Sequence, residues 1–277
     1  MRHELRLFLL ALQFLTRVPV PAWVGYEPAW LNQCVRHFPL VGLCIGVFGA
    51  LVLALALGLF PPLVAVLLSM AATVWLTGAF HEDGLADTCD ALGGTVTRAR
   101  ALEIMKDSRI GTYGACGLIL ALGLKAAVLT ELVLLHPVLA CVALAWGHAA
   151  ARAAPVWLMW MLPYGGDADH AKAKPLATQV RARDAVIAFA WLLVLHAGIW
   201  LAAGGLEIHQ DELRPAAWGL ALAIVPIGIT TLICARWLRR RLGGYTGDTL
   251  GALVQVAELV ALLSVLAYLS LAAAVHE

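Results

Sequence analysis

The sequence predicts an all-α fold: a polytopic transmembrane bundle of about seven spanning helices, preceded by a short N-terminal helix that is interfacial or re-entrant. Three observations predict it. The 277 residues are 62% hydrophobic and 13% charged, about half the charge of an ordinary soluble domain, and the mean hydropathy is +0.85. The apolar residues are gathered into runs of roughly 20, the length a helix needs to cross about 30 Å of hydrocarbon. The runs lack the alternation of barrel strands, and lipid leaves exposed backbone amides unpaired in anything but a helix or a closed barrel.

The expected spans are 38–60, 63–80, 113–135, 138–162, 185–205, 216–235 and 250–274. Leu5 to Leu15 is too short to cross, hence its interfacial or re-entrant reading. No cleavage site of small residues follows the basic start, and Pro19 and Pro21 come instead, so this segment is expected to be retained. No internal repeat, linker or low-complexity tract interrupts the chain, which therefore reads as one membrane domain over residues 1–277.

Charge placement sets the orientation. The stretches 1–37, 81–112, 163–184 and 236–249 carry 16 of the 19 basic residues. The opposite loops, Pro61-Pro62, His136-Pro137 and 206–215, carry only Arg214, beside Glu207, Asp211 and Glu212. Basic loops stay in the cytoplasm, so the N-terminus is expected inside and the C-terminus outside, with loops 81–112, 163–184 and 236–249 cytoplasmic. The net charge of +1 is a cancellation that points to no nucleic acid or acidic partner. The six cysteines lack C-x-x-C spacing and read as small buried hydrophobes.

Three stretches on that side carry chemistry. In Thr77 to Asp90 the second span runs into His81, Glu82, Asp83, Gly84, Asp87 and Asp90. If the helix continues, Asp83, Asp87 and Asp90 share one face at i, i+4 and i+7, and a cation must offset their repulsion. Mg²⁺ suits hard oxygen ligands beside a phosphorylated substrate, and a solvated acidic loop is the bland alternative. His81 is a ligand, a general base or a polar interface residue, with the base ranked first. In Arg100 to Gly114, Lys106, Ser108 and Arg109 precede Gly111 and Gly114 at a helix start, which reads as an anion site or as positive-inside anchors beside packing glycines. In Gly243 to Gly251, Asp248 either caps the last span or completes a metal site, and Thr246 is placed to bond a phosphate. Within the spans, Glu258 and Arg152 are costly enough to be functional candidates, unless Glu258 is a buried partner of Lys125 or Arg152. His148 and His196 read as hydrogen-bonded core residues.

Five stretches together resemble one family, the adenosylcobinamide-GDP ribazoletransferases or cobalamin synthases: F-L-T-R-V-P-V-P at 14–21, F-P-L-V-G at 38–42, H-E-D-G-L-A-D-T-C-D at 81–90, I-M-K-D-S-R-I-G-T-Y-G at 104–114 and Y-T-G-D-T-L-G-A at 245–252. They run from end to end of the chain in the family's order. The resemblance implies a multi-pass enzyme of the bacterial inner membrane, its site facing the cytoplasm, acting late in cobalamin biosynthesis. It implies Mg²⁺ and the joining of adenosylcobinamide-GDP to α-ribazole or its 5′-phosphate with release of GMP. Carried onto this chain, it nominates Asp83, Asp87 and Asp90 for metal and His81 as base; Glu82 beside them is expected as a further metal ligand, and His81, Asp83 and Asp87 as the catalytic residues. It also nominates Lys106, Asp107 and Arg109 for substrate phosphates; Gly111, Arg152, Thr246, Asp248 and Glu258 are expected as further substrate contacts on the residue reading above. Ala91 departs from the glycine expected after Asp90, which puts the local turn in doubt. Other late cobalamin-assembly enzymes and further copies of the chain are left open as partners; none is a nucleic acid. A CDP-alcohol phosphotransferase fails on the missing Arg and second aspartate half. A transporter would gather polar groups at mid-depth rather than at the cytoplasmic rim.

Overall fold

A computed structural model describes residues 2–166, 177–205 and 210–275. The chain runs α1 (Arg2–Leu15), α2 (Pro28–Cys34), α3 (Phe38–Leu57), α4 (Pro62–Thr77), α5 (Phe80–Leu92), α6 (Arg98–Lys106), α7 (Thr112–Leu135), α8 (Pro137–Met161), α9 (Ala182–Gly205), α10 (Gln210–Arg241) and α11 (Gly247–Val275). Two 3-10 turns, Ala22–Val24 and Val35–His37, flank α2. The fold is therefore the all-α bundle that the composition demands. Parts of two expected loops, 167–176 and 206–209 with Glu207, lie outside the described residues.

Six helical stretches among the described residues are long and apolar enough to cross a bilayer: Pro28–Leu57, Thr112–Leu135, Pro137–Met161, Ala182–Ala202, Ala217–Arg241 and Gly247–Ala272. A seventh crossing exists only if α4 and α5 are taken together, and these two meet at 88°. The expected straight continuation of the second span into the acidic segment is thus corrected to an elbow. Its cause is local. Gly78 (φ 70°) and Ala79 (φ 58°) are both left-handed, which ends α4, and their amides bond back to the Trp75 and Val74 carbonyls. Arg17, just beyond α1, donates its amide to Leu76 O at 2.8 Å, and its guanidinium fills the space where a Cβ on Gly78 would stand, 2.6 Å from Nε.

α8 is the pillar of the bundle, with 72% of its spanning window buried against 17% for α9. Glycines of α3 let α3 and α8 approach closely: a Cβ on Gly42 would lie 2.4 Å from His148 O, and one on Gly46 would lie 2.6 Å from Ala145 Cα. α1 is too short to span at 14 residues. It packs rather than floats, burying Leu7, Leu10, Ala11 and Leu15 at helical spacing.

The polar loops converge on one end of the bundle. Arg36 (3% exposed), at the start of α3, bonds Glu4 of α1 at 2.8 Å and Asp184 of α9 at 3.2 Å, and His37 adds a 3.0 Å contact to Glu4. Arg98 donates to Leu242 O (2.7 Å) and Gly165 O (2.8 Å), and Arg241 to Gly94 O (2.9 Å). Residues 163–165 pair with Tyr245 through Gly165 N to Tyr245 O (2.7 Å) and Tyr245 N to Pro163 O (3.1 Å).

Candidate active site

The acidic helix α5 has two faces. His81, Gly84, Leu85, Thr88, Ala91 and Leu92 are buried against the bundle, whereas Asp83 is exposed and Asp87 and Asp90 are half-buried. At 100° per residue His81 lies opposite the aspartates. The structure therefore keeps Asp83, Asp87 and Asp90 together, as their spacing requires, and separates His81 from them. Glu82 goes its own way, accepting a bond from Gln255 of α11 at 3.0 Å, while its Oε2 is buried without a partner.

α5 is held by glycines on both sides. A Cβ on Gly84 would stand 2.7 Å from Asp248 O and 3.2 Å from Gly251 Cα, so α5 and α11 meet at backbone contact. This crossing brings the 81–90 and 245–252 motifs together, with the Asp248 backbone directly against the helix that carries Asp83 and Asp87. On the other side, Asp90 Oδ2 accepts from Gly111 N (2.7 Å) and Oδ1 from Gly114 N (2.8 Å). A helix N-terminus attracts an anion, as the sequence implied, but here the anion is the chain's own carboxylate. Gly111 and Gly114 are needed because a Cβ on either would sit 2.5 Å or less from an Asp90 oxygen.

Thr246, and not Asp248, caps α11: Thr249 N donates to Thr246 Oγ1 (3.3 Å) and Thr246 N to Thr249 Oγ1 (2.9 Å), a reciprocal cap. Thr246 is buried, its hydroxyl also directed at Met105 Sδ at 3.6 Å, so it faces α6 rather than an open anion site. Asp248 is half-buried in the first turn. The Lys106–Arg109 loop is exposed at the same end. Asp107 Oδ1 accepts from Arg109 N and Nε, both at 3.0 Å, and this carboxylate raises the guanidinium further above its usual range.

Deeper lies a polar network. Lys125 of α7 pairs with Glu258 of α11, His148 Nε2 stands 3.3 Å from Glu258 Oε1, and Arg152 Nη1 is 3.0 Å from both His148 Nδ1 and His148 O. All four residues are at most 5% exposed. Of the two partners left open for Glu258, the structure gives Lys125. Glu258 lies eleven residues into α11, roughly 16 Å from its start at the helical rise. Arg152 and His81 line a cavity of about 40 Å³ with Phe14, Phe80, Gly247 and Gly251. His196 accepts from Trp200 Nε1 at 2.9 Å, the core role expected of it.

Among the described residues no three His, Cys, Asp or Glu side chains are grouped to hold one ion. The donors nearest that description are Asp83 and Asp87, one turn apart on the outer face of α5. Such a pair fits an ion like Mg²⁺, which keeps several waters and takes one or two carboxylates beside substrate phosphates.

The sequence model described as cobalamin-5-phosphate synthase matches residues 7–267, nearly the whole chain. The protein belongs to that family. A Leptothrix cholodnii protein named adenosylcobinamide-GDP ribazoletransferase is 56% identical over 265 residues, 96% of each chain. Proteins of the same name from Polaromonas naphthalenivorans and Shewanella amazonensis are 42% identical (94% of this chain, 96% of theirs) and 43% identical (96% of each). No solved structure matches this chain. The family resemblance in the sequence thus holds, and four of the five stretches that carried it end on one piece of geometry: Arg17 on the elbow, α5 after it, the glycines that receive Asp90, and the α11 start packed on Gly84. Sequence reasoning missed Gln255, Arg17 and the Arg36 cluster. The deep arginine of F-P-L-V-G's neighbourhood, Arg36, carried a signal in lying so close to an apolar run, but its partners are 32 and 148 residues away.

Proposed function

We propose that this protein joins adenosylcobinamide-GDP to α-ribazole or its 5′-phosphate with release of GMP, in an Mg²⁺-dependent reaction on the cytoplasmic side of the bacterial inner membrane. The observation that carries the reading is the meeting of the Asp83–Asp87 face, the Lys106–Arg109 loop and the start of α11 at one end of the bundle. It occurs in a chain whose relatives bear that enzyme's name over almost their full length.

A ribazole hydroxyl attacks the cobinamide-linked phosphorus, the new P–O bond forms as the bond to the bridging oxygen breaks, and GMP leaves with that oxygen. Asp83 and Asp87 hold the metal, which supplies charge neutralisation on the diphosphate when bound. Lys106 and Arg109 bring further positive charge to the same exposed rim, with Asp107 fixing the Arg109 loop. His81 is enclosed on the bundle side of α5 while the carboxylates face out. The hydroxyl proton passes to water at the exposed rim, and the enclosure of His81 weighs against the base role read for it from the sequence.

The test is GMP release by the purified protein in lipid, given both substrates, with and without Mg²⁺. Release is expected only with the metal, and Asp83→Asn and Asp87→Asn are each expected to lower it by about 100-fold, the scale of a lost electrostatic or acid–base contribution. Activity that survives both substitutions would move the site elsewhere. A transport role has one observation on its side, the mid-depth Lys125–Glu258–His148 set, and no GMP release under any condition would bring it forward.

A further inference from the structure

The small cavity among α1, α3, α5, α8 and α11 contains an unmet hydrogen-bonding demand. Its wall is mostly carbon, from residues such as Phe38, Phe80, Leu250 and Val254, and its polar side chains are His81 and Arg152, each 2% exposed. His81 Nε2 and Arg152 Nε are both buried without a hydrogen-bond partner. Arginine stays charged at any physiological pH, and buried polar groups without partners are rare enough in folded proteins to ask for an explanation. Gly247 and Gly251 line the same space, so the first turns of a 29-residue helix, with its positive dipole end, open onto it.

We propose that this cavity is a terminal-phosphate subsite, in which Arg152, His81 and the first turns of α11 hold the 5′-phosphate of the ribazole acceptor; the inference rests on the reaction proposed above. Three features select that ligand. The volume, about 40 Å³, takes one tetrahedral group and no nucleoside. The space ends at Arg152, behind which His148, Glu258 and Lys125 are packed against one another, so only a group with a free end enters. The donor's diphosphate carries a substituent on each side and does not meet that condition. The carboxylates in electrostatic reach of Arg152 have partners of their own, Glu258 with Lys125 and Glu82 with Gln255. A site built this way discriminates by what it leaves unpaired: an acceptor lacking the phosphate leaves Arg152 Nε and His81 Nε2 without a partner in an apolar pocket.

The experiment measures kcat/KM for GMP release with α-ribazole 5′-phosphate and with α-ribazole, for the wild-type protein in lipid and for Arg152→Gln and Arg152→Lys. The expected result is a wild-type preference for the phosphorylated acceptor that falls by about 30-fold in Arg152→Gln and is partly restored in Arg152→Lys, the scale of one lost charge-assisted contact. A second measurement needs no variant: inorganic phosphate should compete with α-ribazole 5′-phosphate in the wild-type protein and not with adenosylcobinamide-GDP. An unchanged ratio between the two acceptors in Arg152→Gln, or phosphate competing with the donor instead, overturns the assignment. If Arg152→Gln does not fold, the competition alone decides. Absence of any GMP release from the wild-type protein is a separate result, and strikes the reaction rather than the subsite.

Discussion

Asp90 shows how one carboxylate is committed by its neighbours. Both oxygens receive amides from the first turn of α7, and Ala86 O and the Asp90 carboxyl close over Gly114 so tightly that a Cβ there would stand 2.4 Å from Oδ2 and 2.9 Å from Ala86 O. Gly114→Ala should therefore expel the carboxylate and cost about 2 kcal/mol, the scale of overpacking plus a lost cap, read as a lower unfolding temperature in detergent. Asp90→Asn keeps one acceptor oxygen but sets an NH2 donor against the second amide and loses the charge at the helix end, and should cost about 2 kcal/mol. It also separates two roles. As a cap, Asp90→Asn lowers stability and leaves the Mg²⁺ concentration for half-maximal GMP release unchanged; a shift of that concentration of tenfold or more would make Asp90 a metal ligand.

At the scale of elements, the site depends on α5 lying flat on α11. Gly84 meets backbone that has no way to yield, at 2.7 Å, whereas a Cβ on Gly251 has its nearest neighbour at 3.3 Å. Gly84→Ala should then be clearly worse than Gly251→Ala in both stability and GMP release, with about 2 kcal/mol expected for the first and under about 1 kcal/mol for the second. Equal effects would mean that the helix crossing is not what the glycines serve. The Arg36 cluster makes a second elemental joint, tying α1 and α9 to the start of α3. Asp184 is 1% exposed, so Arg36→Ala leaves it buried without its cation and should destabilise by about 3 kcal/mol, while replacing both residues by apolar ones of similar size recovers most of the loss. The readout is the same detergent unfolding curve.

For the whole molecule, the decisive property is that every acidic and basic loop motif sits at one end. By charge counting, the excess of Lys and Arg there predicts that this end is cytoplasmic. With the native cysteines replaced by serine, a cysteine at Ser108 should react with a membrane-impermeant maleimide only from the cytoplasmic side, and one at Gly58, in the loop at the other end, only from outside. The reverse pattern would invert the topology and take the proposed site away from a cytoplasmic substrate. Much of this was legible in the chain. The number of long apolar helices and the end of the bundle that gathers the motifs follow from apolar run length and charge counting, because lipid permits few backbone solutions, whereas the expected loops 81–112 and 236–249 are largely helical. The i, i+4, i+7 face of Asp83, Asp87 and Asp90 follows from helical geometry and survives. What was not legible is which partner each polar residue takes, as Thr246 for Asp248 as the cap and Asp90 for the expected substrate anion show.

By itself, then, the sequence determined the class of the fold, the ends of most spans and the family. Each of these rests on local composition or on motif order, and neither depends on contacts. Only the tertiary structure decided the elbow at Gly78 and Ala79, the turning of His81 away from the aspartates, and the pairing of Lys125 with Glu258. These depend on what Arg17 and Gly251 bring from 61 and 170 positions away and on α7 and α11 meeting so that residues 133 positions apart pair, and a polar side chain is satisfied by whichever group the packed backbone delivers within about 3 Å.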